Sequence, residues 1–399
     1  MSSRPRSGAL LLAAALLLAG LVGCSGPDGA EHATAPPTDL ARSVSNALDA
    51  RAHAVRAGDL HGFEQLLARR PALRERERTW FDNLTQLPLG HLGYRVEPGT
   101  LQRDGDRYTV TAELVLRLEG YDDRPVVTPG RFRFRAAPGD PGRLLLTGAR
   151  LTDPQPWDLG PVEVRQGAGV LGVFDAGSVA QAPDLLRSVE SGIASVSAQV
   201  PYDWDRSVVL YALADPTFVD GLHDVPGDDP EDLDAVAFPV GRSTRFALNP
   251  RMLEVAGAER DRLVRHELTH VALGTRDDDV PVWLAEGIAE WVSVAPLAPQ
   301  QRRIPEAAVA AAEAGDDDLP DDATFNDADS EAHYGLAWFA VEVLADTYGP
   351  DEPWQLLDAM AQPGADPDVV LRDLLGTTTE RLAQEADRLI LARYAPGAG

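Results

Sequence analysis

The sequence predicts an α+β chain on three observations. Apolar residues recur at helical spacing over 38–67, apolar and polar residues alternate over 94–151, and helical periodicity runs almost unbroken from Glu259 onward. The expected order is N-terminal helices plus an antiparallel sheet, then a second domain with a small sheet and a mainly helical C-terminal half. At 399 residues the chain is too long for one ordinary core. Two domains are therefore expected, 38–156 and 160–395, around the proline-rich stretch TDPQPWDLGP at 152–161.

The first residues carry an address. MSSRPRSG supplies two arginines, and ALLLAAALLLAGLV is an apolar run shorter than the roughly 20 residues a spanning helix needs. Leu21-Val22-Gly23-Cys24 then closes a signal peptide over 1–24. That ending resembles the bacterial lipobox. The resemblance implies that Cys24 is lipidated, becomes the first mature residue and anchors the chain outside the cytoplasm on the bacterial cell membrane. Cys24 is the only cysteine, so no intramolecular disulfide can form. Residues 25–37 are rich in Gly, Pro and Ala without apolar periodicity, and read as a flexible tether.

From Thr38 the spacing predicts a helix capped by Thr38 or Asp39 and stopped by Gly58. A second helix is capped by Asp59, passes through Leu66 and Leu67 and ends before Pro71. Strands follow at 94–96, 107–118, 130–136 and 143–151, with turns at Asp104-Gly105-Asp106 and Pro138-Gly139-Asp140. AVRAGDLHGFEQLL followed by such strands is similar to the helical opening of the NTF2-like cone fold, which implies an accessory or docking domain. Beyond the boundary, VEVRQGAGVLGVFD reads as one or two strands and APDLLRSVESGIASVSAQV as a helix. SVVLYAL, AVAFPV and TRFALNP read as further strands. Helices are expected at 259–274, 281–295, 305–314, 330–348, 352–361, 366–375 and 377–394.

Composition narrows the partners. A formal charge of −27 argues against nucleic acid and against electrostatic docking on anionic lipid. All 36 basic residues are Arg, which together with abundant Ala, Gly, Pro and Asp fits a GC-rich bacterial genome. Acidic runs such as DDDLPDD at 316–322 lack the spaced ligands and glycine of an EF-hand loop, and read as solvated loops.

The chemistry concentrates in VRHELTHVALG, 264–274. His266 and His270, four apart on one helix face, can converge on one ion, while Glu267 sits about 100° around the helix, in reach of a water but not of the metal. The metzincin pattern is excluded, because Leu273 and Arg276 stand where it needs Gly and His. An aspzincin-like alternative takes Asp277 of GTRD as third ligand, although Val280-Pro281 follows GTRDDD in place of Tyr-Gly. The stronger candidate is in VPVWLAEGIAEWVSVA, a helix that Asp279 or a nearby aspartate can open. Its Glu286 and Glu290 share a face, so that one can bind metal while the other braces a histidine.

HELTHVALG followed by PVWLAEGIAEW is similar to the gluzincin branch of zinc metallopeptidases, most of all to its bacterial peptidase MA-like members. The resemblance implies a zincin-like domain over 160–395 and Zn²⁺ held by His266, His270 and Glu286. It also implies Glu267 as general base, Glu290 as the acidic group behind a ligand, and a later Tyr or His that stabilises the oxyanion. Tyr334 is the candidate for that last role and His333 its rival; Tyr334 also stands in a core-like row with Trp338, Val341 and Ala345. An edge strand within 235–249 is available to pair with an extended peptide. The expected function is a membrane-anchored, extracytoplasmic zinc metallopeptidase acting on peptide or protein substrates. The alternative is a non-catalytic ligand- or partner-binding lipoprotein with a relic zinc site.

Overall fold

The computed structural model describes residues 37–223, 233–315 and 318–395. The signal peptide, Cys24, the tether up to residue 36 and most of the acidic stretch 223–234 lie outside the described residues. The fold is mixed α+β, with a curled antiparallel sheet near the N-terminus and a mainly helical C-terminal half. Among the described residues no helix is long and apolar enough to cross a membrane.

Among the described residues three helices precede the first sheet: α1 (Pro37–Ala57), α2 (Leu60–Gln65) and α3 (Pro71–Leu84). Asp59 caps α2 by accepting from the Gly62 N–H at 2.8 Å. The third helix departs from expectation. α2 ends before Pro71 but already at Gln65, short of Leu66 and Leu67, and Pro71 opens α3, in whose first turn a missing N–H costs nothing. The apolar row Leu73, Phe81 and Leu84 is interrupted by Glu77, which is buried because Arg51 Nη1 lies 2.7 Å from its Oε2.

The sheet comprises β1 (Leu89–Val96), β2 (Gln102–Asp104), β3 (Arg107–Leu118), β4 (Val126–Ala137) and β5 (Asp140–Leu151), ordered β1-β3-β4-β5 with β2 on β3. Burial alternates along β3, where Tyr108, Val110, Ala112, Leu114, Leu116 and Leu118 face inward, as a half-buried strand requires. The 152–161 stretch forms a short helix, α4 (Pro156–Leu159), and is locked in place. Asn83 Nδ2 donates to the carbonyls of Trp157 and Gly160 at 2.9 and 2.7 Å, and its Oδ1 accepts from the Val162 N–H at 3.0 Å.

The second sheet contains β6 (Glu163–Gly167), β7 (Val170–Phe174), β8 (Val208–Ala212), β9 (Ala235–Val240) and β10 (Ser243–Leu248), in the order β6-β7-β8-β10-β9. β8 is parallel to both β7 and β10, and β7 and β8 are buried along their whole length, as central parallel strands are. One face packs on α5 (Ala182–Ser197) and the later helices; the other joins the apolar core of the N-terminal sheet. Within that shared core, Arg245 of β10 is 1% exposed. Its guanidinium donates to Asp122 Oδ1 at 2.9 Å and to the Tyr211 hydroxyl at 2.6 Å.

The helical half follows as α6 (Ala258–Leu273), α7 (Val282–Val294), α8 (Glu306–Ala314), α9 (Ser330–Tyr348), α10 (Glu352–Met360), α11 (Pro367–Leu375) and α12 (Thr379–Tyr394). α7 is not opened by Asp279. Its first N–H, from Val282, donates to Asp322 Oδ1 at 2.8 Å, a carboxylate that arrives from 40 residues away. α7 and α9 touch backbone to backbone at Gly287, where a Cβ would stand 2.4 Å from the Ala337 carbonyl oxygen.

Removing one partner of a buried ion pair strands the other, at a cost of about 3–5 kcal/mol. Asp122→Ala is expected to lower stability in urea unfolding by about that much, and Asp122→Leu combined with Arg245→Met should recover most of the loss.

Candidate metal centre

The site is built on α6 and α7. α6 begins after Gly257, whose φ of +72° turns the chain into the helix, and carries Glu259 and Asp261 in its first turn, where acids complement the helix dipole. Val264, Leu268 and Ala272 bury one side of it. That rotation points His266 and His270 together toward α7, and their Nε2 atoms are 3.3 Å apart. Glu286, in the first turn and a half of α7, brings its Oε2 to 3.1 Å from His266 Nε2 and 3.5 Å from His270 Nε2. One ligand atom from each of the three residues lies within 4.8 Å of the others.

A second ring of charge orients the imidazoles. Glu290 Oε1 lies 3.2 Å from His266 Nδ1, and Asp277 Oδ2 lies 2.8 Å from His270 Nδ1. With each Nδ1 facing a carboxylate, both Nε2 atoms are left to present lone pairs to the same point. Glu290 is itself held by the Arg262 guanidinium. Asp277 thus does not enter the three-residue cluster as the alternative ligand; the 3₁₀ turn Gly274–Arg276 folds it back behind His270. That bracing role, and the link from Arg262 to Glu290, had no expectation attached. A carboxylate seven residues after His270, about two helical turns on, was the only signal for the first.

The residues fit a divalent cation. Glu286 Oε2 is buried and makes no well-aligned hydrogen bond, although two imidazole nitrogens stand close to it. Three converging acceptor atoms are stable only with positive charge between them, and two imidazoles plus one carboxylate is a donor set suited to zinc.

Electrostatics follow the same logic. Burial lowers the His266 pKa, but hydrogen bonds and charge from Glu286 and Glu290 outweigh it and lift the metal-free imidazole to about 9. Burial likewise opposes the charged His270, and Glu286 and Asp277 raise it well above 6.5. Glu290 is pushed up by burial yet held at about 2 by His266 and Arg262. Glu267 is the exception: burial raises its pKa, the two histidines only partly offset this, and no described residue hydrogen-bonds its carboxylate.

A cavity of about 450 Å³ opens over the cluster, walled by Glu267 and Tyr334 on the helical side and by Ala235, Ala237 and Phe238 of β9 opposite. Among the described residues β9 is one of the two edge strands of its sheet. The Tyr334 ring centroid is 6.0 Å from that of His266, and its hydroxyl donates to Asn326 Oδ1 at 3.3 Å. Burial, then the charges of Glu286, Glu267 and Glu290, raise its pKa well above 10, so it carries its proton. His333 is not among the cavity's lining residues; its Nδ1 lies 2.9 Å from the Phe325 carbonyl oxygen. No protein-family model matches the chain, and no curated protein matches it in sequence.

A histidine whose folded pKa is raised contributes stability that is complete below its unfolded value of 6.5 and lost as pH rises through about 9. The metal-free protein should therefore lose stability across that window. Zinc must displace the proton, so its affinity should climb over the same range, with proton release measurable by calorimetry in two buffers. Glu290→Gln is expected to weaken zinc by about 10- to 100-fold in the same titration.

Proposed function

We propose that this chain is a gluzincin-type zinc metallopeptidase, similar to the peptidase MA-like enzymes, that is anchored through Cys24 on the outer side of the bacterial cell membrane. One observation carries the reading: the unbonded, buried Glu267 carboxylate stands beside a three-residue cluster suited to zinc, in the wall of an open cavity. A purely structural metal site has no use for such a group.

His266, His270 and Glu286 would hold the ion, with Glu290 and Asp277 fixing the imidazole orientations. Bound zinc would supply Lewis acidity toward the scissile carbonyl and the attacking water. Glu267 accepts the water proton on its carboxylate and returns it to the leaving amine nitrogen. Burial raises its pKa above the ordinary carboxylate value, which favours its holding the proton between the two steps. The protonated Tyr334 hydroxyl donates to the oxygen that develops negative charge. The edge of β9, unpaired among the described residues, offers backbone groups to an extended peptide, which favours broad sequence tolerance. The helices and curled sheet ahead of it, similar at their opening to the NTF2-like fold, would serve as an accessory domain.

Zinc content and cleavage of casein and peptide libraries test this together. Glu267→Gln should keep one zinc per chain and lose about 10²- to 10⁴-fold in turnover. Tyr334→Phe should lower kcat by about 10²- to 10³-fold with little change in KM. Zinc bound by both wild type and Glu267→Gln, with no cleavage by either, would favour the binding lipoprotein instead.

A further inference from the structure

The chain carries 63 acidic residues against 36 arginines, so exposed arginines commonly stand beside a carboxylate. Arg95 with Glu113, Arg117 with Glu119 and Arg165 with Glu163 are instances. One end of the outer face of the first sheet, where Arg107 of β3 meets Arg133 and Arg135 of β4, departs from that pattern. Along β4 the sequence Arg131-Phe132-Arg133-Phe134-Arg135 sends both phenylalanines into the core and leaves the arginines facing out. The antiparallel register sets Arg107 of β3 directly across from Arg135, with Arg133 the next residue on the same face. Like charges directly opposed across strands are destabilising.

The segment between α2 and α3 adds a further cation. The Ala68 N–H donates to the Leu146 carbonyl at 2.9 Å, and Ala68, Leu73 and Leu145 pack together, which draws Arg70 over the same face. Arg70, Arg107, Arg133 and Arg135 enclose a pocket of about 280 Å³ with Thr147 and Asp106. Among the described residues none of these four arginines has an ion-pair partner within 4.0 Å, and the Arg135 Nε is buried without a hydrogen bond. The lining thus sets four arginines against one carboxylate, Asp106, in a chain whose net charge is −27.

We propose that this pocket binds a phosphate group carrying two negative charges, either as a soluble phosphate compound or at the head of a membrane lipid. Guanidinium forks pair with oxyanions two bonds at a time, and four forks offer more donors than the two oxygens of a carboxylate can accept. A terminal phosphate, with three equivalent oxygens, can engage several forks at once, and the Thr147 hydroxyl is a further donor in the wall. The volume lies just under the ~300 to 1,000 Å³ of drug-sized ligand pockets, which suits a small anion. Seated there, the anion also neutralises the Arg107–Arg135 opposition.

The test is titration of the full-length protein with pyrophosphate against sodium chloride of matched ionic strength, read by calorimetry and by Tm. Saturable one-to-one binding and a Tm rise specific to pyrophosphate are expected. Arg135→Gln and Arg107→Gln should each weaken binding by about tenfold or more, because each removes a charge-assisted contact. Arg165→Gln, on the other sheet, should leave it unchanged. Without pyrophosphate, Arg135→Gln should melt no lower than wild type, since it relieves a repulsion; a lower Tm would make Arg135 a structural residue and overturn the proposal. Sedimentation with phosphatidic acid vesicles, in excess over phosphatidylcholine vesicles, separates the sources. Excess retention that Arg135→Gln abolishes assigns a lipid phosphate, and pyrophosphate binding without excess retention assigns a soluble one. Neither kind of binding, or equal binding by wild type and Arg135→Gln, overturns the site.

Discussion

Three carboxylates and two imidazoles share the buried space around α6 and α7, and the helical half is organised by the need to keep them partnered. Glu267, Glu286 and His266 are all at most 7% exposed. Ions taken out of water at that depth cost several kcal/mol each unless their charge is met at close range. Glu286 is met by two imidazoles, and Glu290 by His266 and Arg262. Such contacts hold only if the helices are fixed to within a fraction of an ångström. Gly287 allows α7 to lie against the α9 backbone, and the Arg262 side chain that reaches Glu290 also lies over Trp338 of α9, 5.1 Å from its ring centroid. Among the described residues Glu267 has no hydrogen-bond partner for its carboxylate, and only the charge of the two histidines partly offsets its burial.

The opposite wall of the cavity depends on a different buried charge. Among the described residues β9 pairs with β10 alone, and β10 carries Arg245, whose guanidinium joins Asp122 from the β3–β4 connection to Tyr211 of β8. The N-terminal sheet is thereby bonded to the strand next to the cavity wall, and one apolar core runs through both. The N-terminal half thus buttresses β9. Its outer face, with the arginine pocket, points to separate business.

Much of this was legible in the residues. Helices after Glu259 end within two residues of where periodicity and caps put them, and β3 alternates as its sequence alternates. The failures have definite causes. α3 escaped notice because a buried Glu77 breaks its apolar row, and the residue that makes this tolerable, Arg51, lies on another helix. β1 begins at Leu89, earlier than its alternation suggests, because Gly90 and His91 lie where its register with β3 is irregular. The cap of α7 comes from Asp322, so no local reading could supply it.

The sequence by itself determined what depends on neighbours along the chain: the helical spacing that faces His266 and His270 one way, the Glu286 and Glu290 pair on another helix, and the alternation that exposes the β4 arginines. Those relations are set by 3.6 residues per turn and by the two-residue repeat of a strand. Only the tertiary structure decided which distant groups meet. It put Glu286 rather than Asp277 with the two histidines, turned Asp277 behind His270, drew Tyr334 rather than His333 into the cavity wall, and set Arg107 against Arg135. Contacts between elements follow from how buried surfaces and charges are satisfied together, and that condition is not written in any one segment.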